Sequence, residues 1–85
     1  MLKEKVSEFL EDLFVMWVDG AVDDCEDDPK DCARDQTQEI ADDVEGFVDS
    51  ELQWYTDDPE LLNADRTDLI NAIKAELTNL GYDVK

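Results

Sequence analysis

Residues 27–59 read DDPKDCARDQTQEIADDVEGFVDSELQWYTDDP, and the Asp-Asp-Pro triplets at its two ends decide how the chain divides. Proline inside a helix removes a backbone hydrogen bond and clashes with the preceding turn, but it suits the first helical position. The residue before it is pushed out of the helical region. Each triplet therefore reads as a stop and a turn, and Pro29 is able to start the helix that follows the first. Between the triplets Ala33, Thr37, Ile40, Ala41, Val44, Phe47, Val48, Leu52 and Tyr55 recur at helical spacing, which predicts one second helix with a continuous apolar face.

Upstream, Leu2, Val6, Phe9, Leu10, Leu13, Phe14, Trp17 and Val18 carry the same period. They predict a first helix that continues towards Cys25 and is weakened at Gly20. Downstream, Leu69, Ile70, Ile73, Leu77 and Leu80 form the stripe of a third helix. Asn63 and Asp65 both suit its N-cap, and Gly81 suits the position just past its end. No stretch alternates with period two, and the single Asp-Gly, at 19–20, lies in a helical pattern. The expected fold is all-α, a small antiparallel three-helix bundle, with 1–85 as a single acidic helical domain. The last residues, 82–85, are too short to assign.

At 85 residues a domain buries only about 60–65% of its extended-chain surface, so its core has little margin. Two Trp, three Phe and two Tyr supply large side chains to fill that core. The net charge is −18, against a magnitude of roughly 2–8 that suffices for solubility. This sign opposes direct contact with nucleic acid or an anionic membrane. Acids interrupt MLKEKVSEFLEDLF before any signal-peptide core forms, and the apolar run at 14–18 is too short to span a bilayer. The chain is expected to be soluble and cytoplasmic.

The charge is unevenly spread. Residues 19–60 carry seventeen acids and only Lys30 and Arg34 as bases, while both ends are nearly neutral. Adaptation to a salt-saturated cytoplasm would place carboxylates on every wet face. The third helix is instead expected to expose Asn71, Ala72, Ala75, Thr78 and Asn79, with Lys74 and Glu76 for charge. On the second helix Asp31, Asp35, Glu39, Asp42 and Asp49 fall close to one line, with neighbours ~4.5–10 Å apart along the axis. One DNA strand carries a phosphate per ~3.4 Å and a duplex one charge per ~1.7 Å. The stripe reaches that density only together with Asp23, Asp24, Glu26, Asp27, Asp28, Asp43, Glu45, Asp57, Asp58 and Glu60. In count, the 18 net charges match those on ~30 Å of duplex.

Other chemistries find little support. Every register of the 19–35 segment against a calcium loop of the EF-hand kind misplaces an acid, the glycine or the final glutamate. Cys25 and Cys32 lack the spacing and the further ligands of a zinc site, and the chain has no His. They are placed to staple the first turn as a disulfide, worth ~2.5 kcal/mol by chain entropy. Two free thiols in a reducing cytosol are the equal alternative. No nucleophile motif, phosphate loop or cleft-forming length is present, so no catalytic residue, cofactor or metal is expected. Of Trp54 and Tyr55, beside TDDPE, one is expected to pack in the core and the other to be partly exposed. With Tyr55 facing the core and Trp17 inside it, Trp54 alternatively suits an aromatic anchor within an acidic rim.

In size, charge and inferred helicity the chain resembles phage-encoded DNA mimics that inhibit restriction or CRISPR systems, and the immunity proteins that block nuclease toxins. No motif matches a particular family. The resemblance implies a binding protein, not an enzyme. Its partner would be a basic nucleic-acid-binding protein: a nuclease, a CRISPR effector or a restriction enzyme. The alternative is a non-mimic structural or interaction subunit, or a small helical protein of a halophile whose acidity is solvation.

Overall fold

The computed structural model describes residues 2–85, with side chains for all of these except 21–24. Among the described residues the chain is helical and contains no strand. The elements are α1 (Leu2–Asp24), α2 (Pro29–Asp42), α3 (Val44–Gly46), a π-helical turn (Phe47–Glu51), α4 (Leu52–Tyr55), α5 (Pro59–Leu62) and α6 (Arg66–Asn79). α1 is the central rod and packs against α2, α6 and α5. Its Val6, Phe9, Leu10 and Leu13 are buried with Ile40, Ala41, Leu69, Ile70, Ile73 and Leu77 in one core. The largest wholly buried side chains are Val6, Val44, Ile73 and Leu77, each stabilising by about 1.5–3 kcal/mol.

Both Asp-Asp-Pro triplets start helices by the same local device. Asp28 and Asp58 are extended, with φ/ψ of −60/129° and −66/115°. Each carboxylate accepts from the amide two residues on, Lys30 N–H and Glu60 N–H, both at 2.9 Å. Pro29 and Pro59 follow at the first helical position, where no amide hydrogen is needed. Asp65, rather than Asn63, caps α6 by accepting from Thr67 and Asp68 N–H. Asn63 instead closes α5, a short helix that the sequence pattern did not reveal and that buries Leu61.

The second helix is not continuous. Asp43, at φ −149° and ψ 71°, donates its N–H to Ile40 O, ending α2, while its carboxylate accepts from Gly46 N–H and starts α3. Aspartate competes for nearby backbone donors, so it favours helix ends over helix interiors. A β-carbon on Gly46 would collide with the Asp43 carboxylate, so glycine lets the cap close. Beyond it, Leu52 N–H reaches back five residues to Phe47 O. Residues five apart in an α-helix lie about 140° apart; the wider turn returns Leu52 to the side of Phe47, and both are buried.

Two core expectations are corrected. Leu80 is 56% exposed and Tyr55 40% exposed. Leu80 is the residue on which α6 terminates, just before Gly81 at φ 96°. Gly81 N–H bonds Thr78 O and Tyr82 N–H bonds Leu77 O, the paired closure of a Schellman motif. This turn sends 82–85 back over the bundle, where Tyr82 and Val84 pack on the core. Gln38 exchanges two hydrogen bonds with the Asp83 backbone, and Lys85 N–H caps the open Ala41 carbonyl of α2.

Replacing Asp43 by Ala should cost about 1 kcal/mol, or about 4–8 °C in Tm for a domain of this size. Gly46→Ala should yield none of the ~1 kcal/mol that alanine normally gains in a helix, because its methyl displaces the Asp43 cap. Thermal unfolding followed by circular dichroism measures both. An unchanged Tm in Asp43→Ala would contradict the double cap.

Candidate functional site

The carboxylates of 19–60 whose side chains are described fall into three groups by what each one touches, with Asp58 in two of them. Asp28, Asp43 and Asp58 are occupied as helix caps. Asp31, Asp42, Asp49, Asp58 and Glu60 lie in ion pairs. Asp19, Glu26, Asp27, Asp35, Glu39, Glu45, Glu51 and Asp57 are exposed and have no ion pair among the described residues. Asp23 and Asp24 lie outside the residues whose side chains are described.

On α2 the expected stripe is real as far as the break. At 100° per residue Asp31, Asp35, Glu39 and Asp42 fall within an arc of about 80°. All four are exposed, and the arc is centred opposite the buried Ala33, Thr37, Ile40 and Ala41. Thr37 can be buried there because its hydroxyl donates to Ala33 O at 2.8 Å. Asp49 does not extend the line. It lies beyond the Asp43 break, inside the π turn, and it is held by Arg66 at the start of α6.

The Asp49–Arg66 pair is bidentate, with Nε to Oδ1 at 2.6 Å and Nη2 to Oδ2 at 2.8 Å. The guanidinium holds the Asp49 carboxyl below the usual carboxylate range, and Asp49 raises Arg66 in turn. Lys5, from α1, reaches Asp58 at 3.4 Å and Glu60 at 3.7 Å. Its hydrogen bond to Asp58, with the nearby negative charge, raises the ammonium pKa. Lys85 approaches Asp42 at 3.5 Å. α2 has no base in its last turn, so this distant lysine supplies the cation that a helix C-terminus favours.

Three bases from the chain ends thus clamp the acidic middle, while Arg34 pairs locally with Asp31 at 3.1 Å. Sequence spacing carries no signal for Lys5, Arg66 or Lys85, whose partners lie far along the chain. The outward face of α6 bears Asn71, Ala75, Thr78 and Asn79, with Asp68 as its acid. Glu76, expected on that face, is half-buried and accepts from Ser7 Oγ.

Trp54 is 76% exposed, and its Nε1–H donates to Ser50 O at 2.9 Å. Tyr55 stacks on Phe47, centroids 5.8 Å apart, and meets Trp17 edge-on at 6.1 Å. Cys25 and Cys32 form a disulfide with Cα atoms 6.7 Å apart, closing the turn between α1 and α2. Among the described residues no three His, Cys, Asp or Glu side chains gather to hold a metal ion, and no helix is long and apolar enough to cross a membrane. Compared with known proteins, the chain matches no family, no curated protein and no solved structure.

Because its folded pKa is depressed, the Asp49 pair stabilises the fold above the ordinary Asp value near 3.9. That contribution disappears as pH falls through the lowered value. Carboxyl NMR titration should place the Asp49 midpoint below the ordinary range in the native chain and return it there in Arg66→Gln. Equal midpoints would show that the pair does not form in solution. Salt should raise Tm by several degrees between 10 mM and 0.5 M. At the lower concentration the Debye length of ~30 Å exceeds the 12.6 Å radius of gyration, so the acids repel across the whole molecule. A falling Tm would mean that the clamping pairs outweigh the repulsion.

Proposed function

We propose that this chain is a small acidic binding protein that occupies the basic nucleic-acid site of another protein. The scaffold in this reading is an antiparallel three-helix bundle whose second member is broken at Asp43. The observation that carries it is the α2 stripe. Asp31, Asp35, Glu39 and Asp42 point away from the core, with Asp35 and Glu39 unpaired and able to meet partner lysines and arginines. The scale agrees: 18 net negative charges over a longest dimension of 38 Å is about one per 2 Å, against ~1.7 Å for duplex DNA. A helical turn of DNA is about 34–36 Å long.

Inhibition in this reading is competitive. Carboxylates replace phosphates on the partner, charge steering speeds the encounter, and affinity falls with salt. The partner would be a nuclease, a restriction enzyme or a CRISPR effector, met in the cytoplasm, and the chain itself performs no catalysis. One observation favours a second reading. Glu4, Glu8, Glu11, Asp12 and Asp19 also lie on the outward face of α1, as they would in an acidic coat that serves solvation or assembly.

A matched pair of variants separates the two. Asp35→Asn with Glu39→Gln, and Asn71→Lys with Ala75→Lys, each change net charge by the same amount on different faces. Capture on immobilised protein, eluted by salt and separately by duplex DNA, should yield a nucleic-acid-binding protein released by both. The α2 variant should weaken that capture about tenfold and the α6 variant leave it unchanged. Equal effects from both variants, or a partner that ignores DNA, would favour the solvation reading.

A further inference from the structure

The face of α1 next to α4 carries a pocket of about 190 Å³, far from the α2 stripe in sequence. Its apolar lining includes the buried Phe9 and Leu13 together with Met16 and Tyr55, which are 48% and 40% exposed. Its charged lining is Glu8, Asp12 and Asp58, with Lys5. Tyr55 and Thr56 also line the adjoining shallow surface that bears Trp54 and Asp57, so the exposed aromatic is continuous with the pocket. The larger groove beside Leu80 sets Arg34 against Glu11 and Glu76, and Glu76 already accepts from Ser7 Oγ, so only Glu11 is left uncommitted there.

Charge does select an occupant in the α1–α4 pocket. Lys5 already seats an ammonium at its edge, on Asp58 and Glu60. Glu8 and Asp12 have no ion pair among the described residues. They stand four residues apart on α1, neighbours at roughly 5–6 Å between β-carbons. One planar, forked cation can span that separation while lying against an aromatic ring.

We infer that this pocket is the anchor site of the acidic surface and receives a single arginine side chain of the partner, its guanidinium between Glu8 and Asp12 and its stem against Met16 and Tyr55. The inference rests on the reading that the partner is basic, and it names where that partner is gripped. Lys5 is then a competitor already in place: it repels an incoming guanidinium and holds Asp58 away from it. The pocket is small enough for one side chain, and the surrounding carboxylates reject neutral or acidic ones.

Blocked arginine (the acetyl, N-methylamide derivative) tests the site without any partner, with blocked citrulline as its uncharged isostere. Both are titrated at low ionic strength into the full chain, with the Met16 methyl and Tyr55 ring followed by NMR. Arginine should give saturating shifts centred on these two residues, and citrulline none. Glu8→Gln with Asp12→Asn should weaken arginine binding about fivefold or more, and Lys5→Gln should strengthen it about two- to fivefold. A purely structural Lys5 would not produce that gain. These are exposed or half-exposed positions, and circular dichroism checks that the variants stay folded. Equal shifts from arginine and citrulline, shifts spread along α2, or variants without effect would overturn the anchor.

The outcome is separable from that of nucleic-acid mimicry. Arginine seated in the pocket while DNA fails to displace a captured partner would keep the anchor and remove the mimicry. The reverse result would keep the mimicry and remove the anchor.

Discussion

A chain with 25 carboxylates and 7 bases cannot bury an unpaired charge, and the rest of the architecture depends on that constraint. Desolvating a lone carboxylate costs far more than any single contact in an 85-residue core can return. Each longer helix must therefore keep its acids off the apolar stripe that faces the core and send them outward. Among the described residues the only buried polar side chain is Thr37, and its hydroxyl is satisfied within its own helix. The core is correspondingly plain: Val, Leu, Ile and Phe from α1, α2, α6 and the bent segment between them.

The same carboxylates also shape the backbone. Asp28, Asp43, Asp58 and Asp65 each cap a helix, and Asp43 does so where the apolar period runs on without interruption. A local side-chain hydrogen bond thus defeats a pattern that favours one long helix. The π turn that follows compensates for the break, bringing Leu52 back to the core alongside Phe47. The bend also presents Trp54 to solvent and leaves Tyr55 at the pocket edge.

Charge neutralisation is organised over long range. Lys5, Arg66 and Lys85 come from the two ends and meet Asp58, Glu60, Asp49 and Asp42 in the acidic middle. Exposed pairs of this kind each contribute little to stability, because solvent and salt screen them. Their larger effect is to decide which carboxylates remain available. Asp35, Glu39, Glu45 and Asp57 stay open, while Asp42 and Asp49 are already engaged. A count of acids along the sequence overstates the surface that a partner can meet.

Helical class, the two Asp-Asp-Pro turns with the helix start at Pro29, the Gly81 stop and most of the core were legible in the sequence, because each rests on short-range rules: capping, proline geometry and a period of 3.6. The α2 stripe opposite its apolar face was legible for the same reason. The break at Asp43 was masked by the periodicity of Val44 and Phe47, and α5 is too short to show a period. Tertiary structure alone decided the docking of 82–85 on α2, the ion pairs across 17 to 55 residues, and the meeting of α1 carboxylates with Tyr55 in one pocket. These depend on which faces pack together, and a charge carries no mark in the sequence of the distant partner that the fold brings beside it.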